Sequence, residues 1–282
     1  MIPKILHFVW VGDESRRPDA CIDTWRQLNP DYEVKVWGNE QWHSGGWRTA
    51  HQMEAIGARG LAGVADLMRY EILVREGGVT LDADSVCTRP LPDWLLDTSE
   101  FAVWESEIMR PGLVANGYLG AVPGSPFFDG IVERFASAPL MTDRDPWNTT
   151  GPVAFTEYMH DRGEEITVYP SHYFIPRHYT GFQYTGAGPV FAAQLWGTTE
   201  IDYGSADEFV RMAQADDLQR ASMDPAAQVA SLGAQPWADY HGPGEPSWLS
   251  RAVDKALRVL RLRPEETERR KVGARAVTHA KA

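Results

Sequence analysis

The sequence predicts an α/β protein: a sandwich around a mainly parallel central sheet, followed by a helical C-terminal extension. Three observations carry this prediction. The chain opens strand-helix-strand with short connections, which implies a parallel, doubly wound sheet. At 282 residues it can bury one sizeable core. Its 43% hydrophobic and 23% charged residues are those of a globular rather than a disordered chain.

The elements follow in order. Ile2–Val11 is a short apolar run closed by Gly12-Asp13, the pattern of a strand and its turn. Ala20–Leu28 has helical spacing and stops at Asn29-Pro30. Tyr32–Trp37 alternates as a second strand, ended by Gly38-Asn39. Leu61, Val64, Ala65, Met68 and Ile72 recur at helical spacing as one buried stripe, and Gly77-Gly78 stops that helix. Val79-Thr80-Leu81 reads as a strand with Asp82-Ala83-Asp84 at its carboxyl end, where functional groups of open α/β sheets collect. Strands are expected over Phe101–Glu105, Gly117–Val122 and Ile166–Tyr169, and helices over Phe127–Phe135, Asp207–Gln219 and Trp248–Leu262. The organisation expected is a catalytic domain over 1–249 and a basic, partly flexible extension over 250–282.

Charge is uneven. Ten Lys/Arg against four Asp/Glu give residues 251–282 a charge of +6, which leaves 1–250 at −18. A body this acidic argues against broad affinity for nucleic acid. The helix of Arg251–Arg263 interleaves apolar residues with Arg and Lys; packing on the domain is its ordinary reading, peripheral contact with an anionic membrane the alternative. Two cysteines, Cys21 and Cys87, make neither a disulfide framework nor a zinc site. With no signal-like h-region and no run of about 20 apolar residues, a cytoplasmic location is the expectation.

In an extended strand, residues i and i+2 face the same way, so Asp82 and Asp84 would present two carboxylates in one direction. Two hard oxygen ligands with no Cys or His between them suit Mn²⁺ or Mg²⁺. Such an ion neutralises a diphosphate leaving group. A second acidic pair, Asp143-Arg144-Asp145, follows no apolar strand and precedes Pro146, so it reads as a turn. Asp66 and Arg69, at i and i+3, share a helix face leading toward Asp82. A surface ion pair is the ordinary reading of such a pair and contributes little; beside the acidic pair, a sugar or ribose contact is the sharper one. The eleven tryptophans offer flat faces for sugars or bases, although most tryptophans fill cores. His7 reads as a hydrogen-bonded core residue. Trp104 and Trp147 read equally as core or as lining of an acceptor cleft.

Ala65-Asp66-Leu67-Met68-Arg69-Tyr70, then Gly77-Gly78-Val79-Thr80-Leu81-Asp82-Ala83-Asp84, resembles the core motif of glycosyltransferase family 32, the enzymes with a DXD sugar-binding region. The opening Ile2–Gly12, Asn29-Pro30-Asp31-Tyr32, Val36-Trp37, Asn116, Thr150-Gly151-Pro152, Val168-Tyr169-Pro170 and Phe174-Ile175-Pro176 are similar to further family segments. The resemblance spans roughly residues 1–200. It implies a GT-A fold, a nucleoside-diphosphate sugar donor, a divalent metal and retention at the anomeric carbon. By position it implies that Val9 and Trp10 hold the base, that Asp66 and Arg69 contact the donor sugar, and that Asp82 contacts ribose or sugar. Asp84 would bind the metal and Asn116 would lie near the reacting sugar. Gln194 stands where the family usually carries a metal-completing His; alternatively His241, ahead of Ser247-Trp248, fills that role. Trp196 and Trp248, the tryptophans of these two closing segments, are counted with the donor-binding residues.

The acceptor stays open on these residues: glycan, lipid-linked sugar, protein, small metabolite or modified DNA base, with nucleic acid disfavoured by the acidic body. Two rivals have sequence features of their own. A catalytically silent sugar-nucleotide or glycan binder is motivated by Gln194. A haloacid-dehalogenase-like phosphatase is motivated by Asp82-Ala83-Asp84-Ser85-Val86, although in such proteins the motif usually ends the first strand and the later acidic pair follows a strand, whereas Asp216-Asp217 falls in a helical stretch.

Overall fold

The computed structural model describes residues 1–57, 60–141, 145–163, 166–186, 188–196 and 206–221. The expected extension over 250–282, the helix at Trp248–Leu262, His241 and Trp248 lie outside them. In chain order the strands are β1 (Ile5–Val9), β2 (Glu33–Trp37), β3 (Gly78–Leu81), β4 (Ser85–Cys87), β5 (Glu100–Ser106), β6 (Arg110–Ala121), β7 (Thr167–Tyr169) and β8 (Ala192–Gln194). The helices are α1 (Asp19–Leu28), α2 (Asn39–Ser44), α3 (Ala50–Gly57), α4 (Leu61–Glu76), α5 (Pro126–Ser137), α6 (Pro146–Thr149), α7 (Pro152–Arg162) and α8 (Ala206–Ala221).

Six strands form the central sheet in the order β2-β1-β3-β6-β5-β7. The β1–β2, β1–β3 and β5–β7 pairings are parallel; both pairings of β6 are antiparallel. One reversed strand inside an otherwise parallel sheet gives the expected α/β, GT-A-like sandwich. Because β5 runs parallel to β3, the carboxyl ends of β1, β3 and β5 share one edge, and functional groups collect there.

Alternation along the strands separates the two cores. Leu6 and Phe8 of β1, Val79 and Leu81 of β3 and Phe101 and Val103 of β5 face a core completed by Ile22 and Trp25 of α1. Val9, Ala102, Leu119 and Ala121 face the other, built with α3, α4, α5 and α7. The expected single apolar stripe on α4 is too narrow: Asp66 through Leu73 are all buried. This helix lies between sheet and neighbouring helices, so its polar residues Asp66, Arg69 and Glu71 are buried as well. Gly77 ends it at φ 66°, a conformation only glycine adopts freely.

His7 is a core residue, as expected. Its Nε2–H donates to the Gly77 carbonyl at 2.9 Å and its Nδ1 accepts from Trp37 Nε1 at 3.2 Å, which requires the neutral ring. Burial holds its pKa down at about 4. Trp104 packs half-buried against the α4 side core, away from the cleft described below. Asp145 caps α6, accepting from Asn148 N at 3.1 Å, in keeping with a turn; Asp143 and Arg144 lie outside the described residues. Among those residues no helix is long and apolar enough to cross a membrane.

Candidate active site

The C-terminal edge of the sheet opens into a cleft of about 880 Å³. That is the upper part of the range for small-molecule sites. Sheet order arranges its lining lengthwise: Val9 at the end of β1 and Trp10 just past it, Asp82 and Asp84 after β3, Asn116 and Gly117 on β6, and Glu105 on β5.

The acidic pair differs from its expected backbone. The strand ends at Leu81, so Asp82 and Asp84 sit on a turn rather than on an extended segment. Ser85 closes that turn, its N–H and hydroxyl donating to the Asp82 carbonyl at 3.1 and 2.6 Å. Helix α1 then clamps the following residues: Trp25 Nε1 donates to Ser85 O at 3.0 Å and Thr24 Oγ1 accepts from Cys87 N at 2.8 Å. From the far side, Leu195 N donates to Asp84 O at 3.1 Å where β8 pairs with β4. The carboxylates still converge. Gln194 Nε2 lies 2.9 Å from Asp84 Oδ1 and 3.4 Å from Asp82 Oδ2.

That convergence tests the fit of a metal. One point within reach of two carboxylates suits a hard divalent cation. Gln194 can complete the set, because its Oε1 now accepts from the Tyr118 hydroxyl. A phenol accepts as readily as it donates. Turned over, the amide gives Nε2–H to Tyr118 and presents Oε1 to the carboxylates. Two carboxylates and one amide oxygen, with diphosphate oxygens and water for the remaining positions, is how Mg²⁺-type sites are built. Among the described residues no group of three His, Cys, Asp or Glu could hold a metal without such help.

Beneath this point lies a buried polar floor. Arg69 Nη2 pairs with Asp82 Oδ1 at 2.9 Å and Nη1 donates to the Asn116 carbonyl. Asn116 Nδ2 donates to Asp66 Oδ1 at 2.7 Å, and Thr150 Oγ1 to Asp66 Oδ2 at 3.0 Å. Tyr70 hydroxyl donates to Thr150 O at 2.7 Å. The ordinary reading of Asp66 and Arg69 as a surface ion pair fails, because both are buried, each 7% exposed. Burial pushes the Asp66 carboxyl up to about 6, against the opposing pull of Arg69 and its two hydrogen-bond donors. Arg69 Nε, 4.0 Å from Asp66 Oδ1, is buried without a hydrogen-bond partner among the described residues. A buried group of this kind marks strain, function or a missing partner.

At the β1 end, Trp10 Nε1 donates to Asp13 O at 2.9 Å, which fixes its ring at the cleft. Arg16 lines the same end. Trp196 also lines the cleft, but with Tyr179 and His178, ring centroids 5.1 and 5.4 Å away, rather than beside Trp10. The structure thus brings Val9, Trp10, Asp66, Arg69, Asp82, Asp84, Asn116, Gln194 and Trp196 together. Sequence reasoning missed Tyr118, Glu105, Arg110 and Tyr179. Each is a single residue in no motif, and only chain folding makes it a neighbour of the site.

An acidic turn at the carboxyl edge of the α/β sheet, backed by an Asp–Arg helix, is thus the feature on which the cleft is built. Residues 15–102 match the family described as "Glycosyltransferase sugar-binding region containing DXD motif", and over that segment the chain is similar to these glycosyltransferases. Inositol phosphoceramide mannosyltransferase 3 of Schizosaccharomyces pombe is 30% identical over 155 residues, 48% of this chain and 38% of that protein. An uncharacterized glycosyltransferase, L373, of Acanthamoeba polyphaga mimivirus is 26% identical over 177 residues, 59% of this chain and 66% of that one. The chain therefore spans well under half the length of the mannosyltransferase it matches. Among solved structures, the PaToxG glycosyltransferase is similar at a TM-score of 0.44 and 16% identity, over 57% of this chain and 69% of that one.

Proposed function

We propose that the chain is a retaining, metal-dependent glycosyltransferase that moves a hexose from a UDP- or GDP-sugar to a hydroxyl acceptor. The observation carrying this reading is the convergence of Asp82 and Asp84 on one point above the Asp66–Arg69–Asn116 floor, in a cleft that also holds Trp10. Trp10 and Val9 take the base at the β1 end. Asp66, Arg69 and Asn116 orient the donor sugar, with the guanidinium holding Asp82 in place. Asp84, Asp82 and Gln194 would hold Mn²⁺ or Mg²⁺, which supplies charge neutralisation of the departing diphosphate. The bond from C1 to the diphosphate oxygen breaks and a bond from C1 to the acceptor oxygen forms. The acceptor proton passes to the leaving phosphate on the same face of the sugar, which retains configuration. Glycan, lipid-linked, protein and small-molecule acceptors all meet this chemistry.

Isothermal titration with UDP and GDP, each with and without Mn²⁺, tests the reading. Metal-dependent binding of one nucleotide is expected, followed by slow hydrolysis of its sugar conjugate. Absence of binding by both would overturn the donor assignment. Binding without any turnover would favour the silent-binder alternative that Gln194 motivates. The phosphatase reading loses its basis in topology: the acidic turn follows β3, not the first strand, and Asp216-Asp217 lies within α8.

A further inference from the structure

The β5 end of the cleft has a different chemistry from the floor, and the donor reading leaves it unused. Strands lie about 4.8 Å apart, so Glu105 on β5 stands three strands, or about 14 Å, from the end of β1 where Trp10 follows. A donor laid from Trp10 over the acidic turn to Asn116 ends one strand short of it.

Three aromatic rings and one guanidinium line this end. Arg110 lies 4.9 Å from the Trp147 ring centre and 5.6 Å from that of Tyr179, and it donates to the Tyr179 hydroxyl. The Trp196 ring packs edge-on against Tyr179. Trp147 is 41% exposed, among the few large apolar side chains of the described residues left open. Glu105 is buried, yet it lines the cleft. Its Oε1 forms an ion pair with Arg110 Nε at 3.0 Å and accepts from His178 Nε2 at 3.2 Å, whereas its Oε2 accepts no hydrogen bond among the described residues.

The charges cancel. His178 Nδ1 accepts from Thr180 N at 3.3 Å, which leaves Nε2 as the ring nitrogen that donates to Glu105. Arg110 and Glu105 then neutralise one another. A balanced pair leaves no surplus positive charge for a phosphate, whereas a flat exposed indole suits the C–H face of a saturated ring. A carboxylate oxygen at the edge of that indole suits a ring hydroxyl.

We propose that this end of the cleft is an acceptor subsite for a neutral, polyhydroxylated six-membered ring, stacked on Trp147 with one hydroxyl on Glu105 Oε2. The assignment rests on the glycosyltransferase reading for its role, but ring binding can be measured without it. Trp147 also adjoins the donor floor along the chain. It sits on α6 three residues before Thr150, whose hydroxyl holds Asp66. A ring on the indole and a sugar on the floor are thus carried by one short segment.

The test is saturation-transfer NMR on the full chain with Mg²⁺, using methyl α-mannopyranoside, methyl β-glucopyranoside, methyl β-galactopyranoside and myo-inositol as probes. Nucleotide titration accompanies it on each variant. At least one probe should receive saturation at its ring C–H protons. Trp147→Ala should weaken that binding by about tenfold, as loss of a stacking partner implies. Trp147→Phe, which keeps a flat ring, should restore most of it, and Glu105→Gln should weaken it while leaving UDP and GDP affinity within about twofold of wild type. Absence of saturation on all four probes in the wild type overturns the proposal, as does equal binding in wild type and Trp147→Ala. Binding of mannose 1-phosphate but of no neutral probe overturns it too. If Trp147→Ala lowers nucleotide and probe affinity together, this end serves the donor and the proposal falls. If probes bind but neither nucleotide does, the ring site stands and the donor reading falls.

Discussion

The two ends of the cleft are built on opposite principles. The proposed donor floor is a network of charged, amide and hydroxyl groups, Asp66, Arg69, Asn116 and Thr150, each bonded to a neighbour and nearly all removed from solvent. The β5 end is a set of rings around one ion pair, with Trp147 open to solvent. A buried polar network has one satisfied arrangement and tolerates little change. A stacking surface is non-directional and accepts several rings. The floor is thus suited to fixing a donor, and the aromatic end to admitting a class of acceptor. Substitutions in the floor should abolish function, whereas those at the aromatic end should grade it.

The largest contrast comes from Asp84→Ala. Removing the carboxylate nearest Gln194 should lower metal-stimulated turnover by about a thousandfold, since a metal supplies several kcal/mol of charge stabilisation. The fold should persist, because Asp84 lies on a turn whose backbone is held by Ser85 and Leu195. Donor hydrolysis measured with Mn²⁺, beside a thermal melt, decides it. Full activity in the folded variant would show that the motif is not the metal site.

Next in size is Gly117→Ala. A Cβ at 117 would overlap the Asp82 carboxylate, reaching within 2.7 Å of its Cγ. Asp82 is partly exposed and can swing away, but only by leaving Arg69 and the point it shares with Asp84. Turnover should fall by roughly ten- to a hundredfold with a normal melt, in the range for a displaced reacting group. An equal loss from Trp147→Ala would erase the distinction between the two ends.

This contrast also explains what the sequence made legible. Asp66, Arg69, Asp82 and Asp84 occupy 19 consecutive residues on one helix-strand unit, so their spacing carries geometry. Among the described residues, six of the eight strands and four of the eight helices are readable from apolar periodicity for the same local reason; the short β4 and β8, the first half of β6 and helices α2, α3, α6 and α7 are not. Gln194 and Asn116 were reached through family resemblance alone. Glu105, Arg110 and Tyr179 come from β5, β6 and a later loop, and nothing local distinguishes them from surface residues. Two local inferences failed physically. The acidic pair was placed on a strand, but Ser85 turns the chain at Asp82. Helix α4 was given one apolar stripe, but packing on several sides also buries its polar residues.

Gln194 separates the metal's need for charge from its need for geometry. Gln194→Ala should raise the Mn²⁺ concentration for half-maximal activity about fivefold, the cost of one neutral oxygen ligand. Gln194→Glu adds a third carboxylate and should lower that concentration about tenfold while destabilising the metal-free protein by like-charge crowding. A titration in which both variants match wild type would place Gln194 outside the metal's shell and leave it as a hydrogen-bond partner of Tyr118 alone.

The smallest net effect is one that two buried groups conceal from each other. Asp66 titrates near 6 in the native protein against 3.8 in the unfolded chain. Between those values the native state holds the extra proton, so stability falls as pH rises, by about 3 kcal/mol in all. His7 titrates near 4 against 6.5 unfolded, so across nearly the same window the unfolded chain holds the extra proton. Its contribution therefore rises with pH by a similar amount, about 3 kcal/mol. The two slopes oppose, and together they leave little net dependence between about pH 4 and 6.5. Substitution should unmask each one. Asp66→Asn should become more stable as pH rises through this window, and His7→Gln, which keeps a donor for Gly77 and an acceptor for Trp37, should become less stable. Urea midpoints at several pH values measure both. Parallel slopes in the two variants would mean that one of these groups does not titrate as its surroundings dictate; opposite slopes would establish that the floor holds Asp66 partly protonated near pH 6, where donor binding should then weaken.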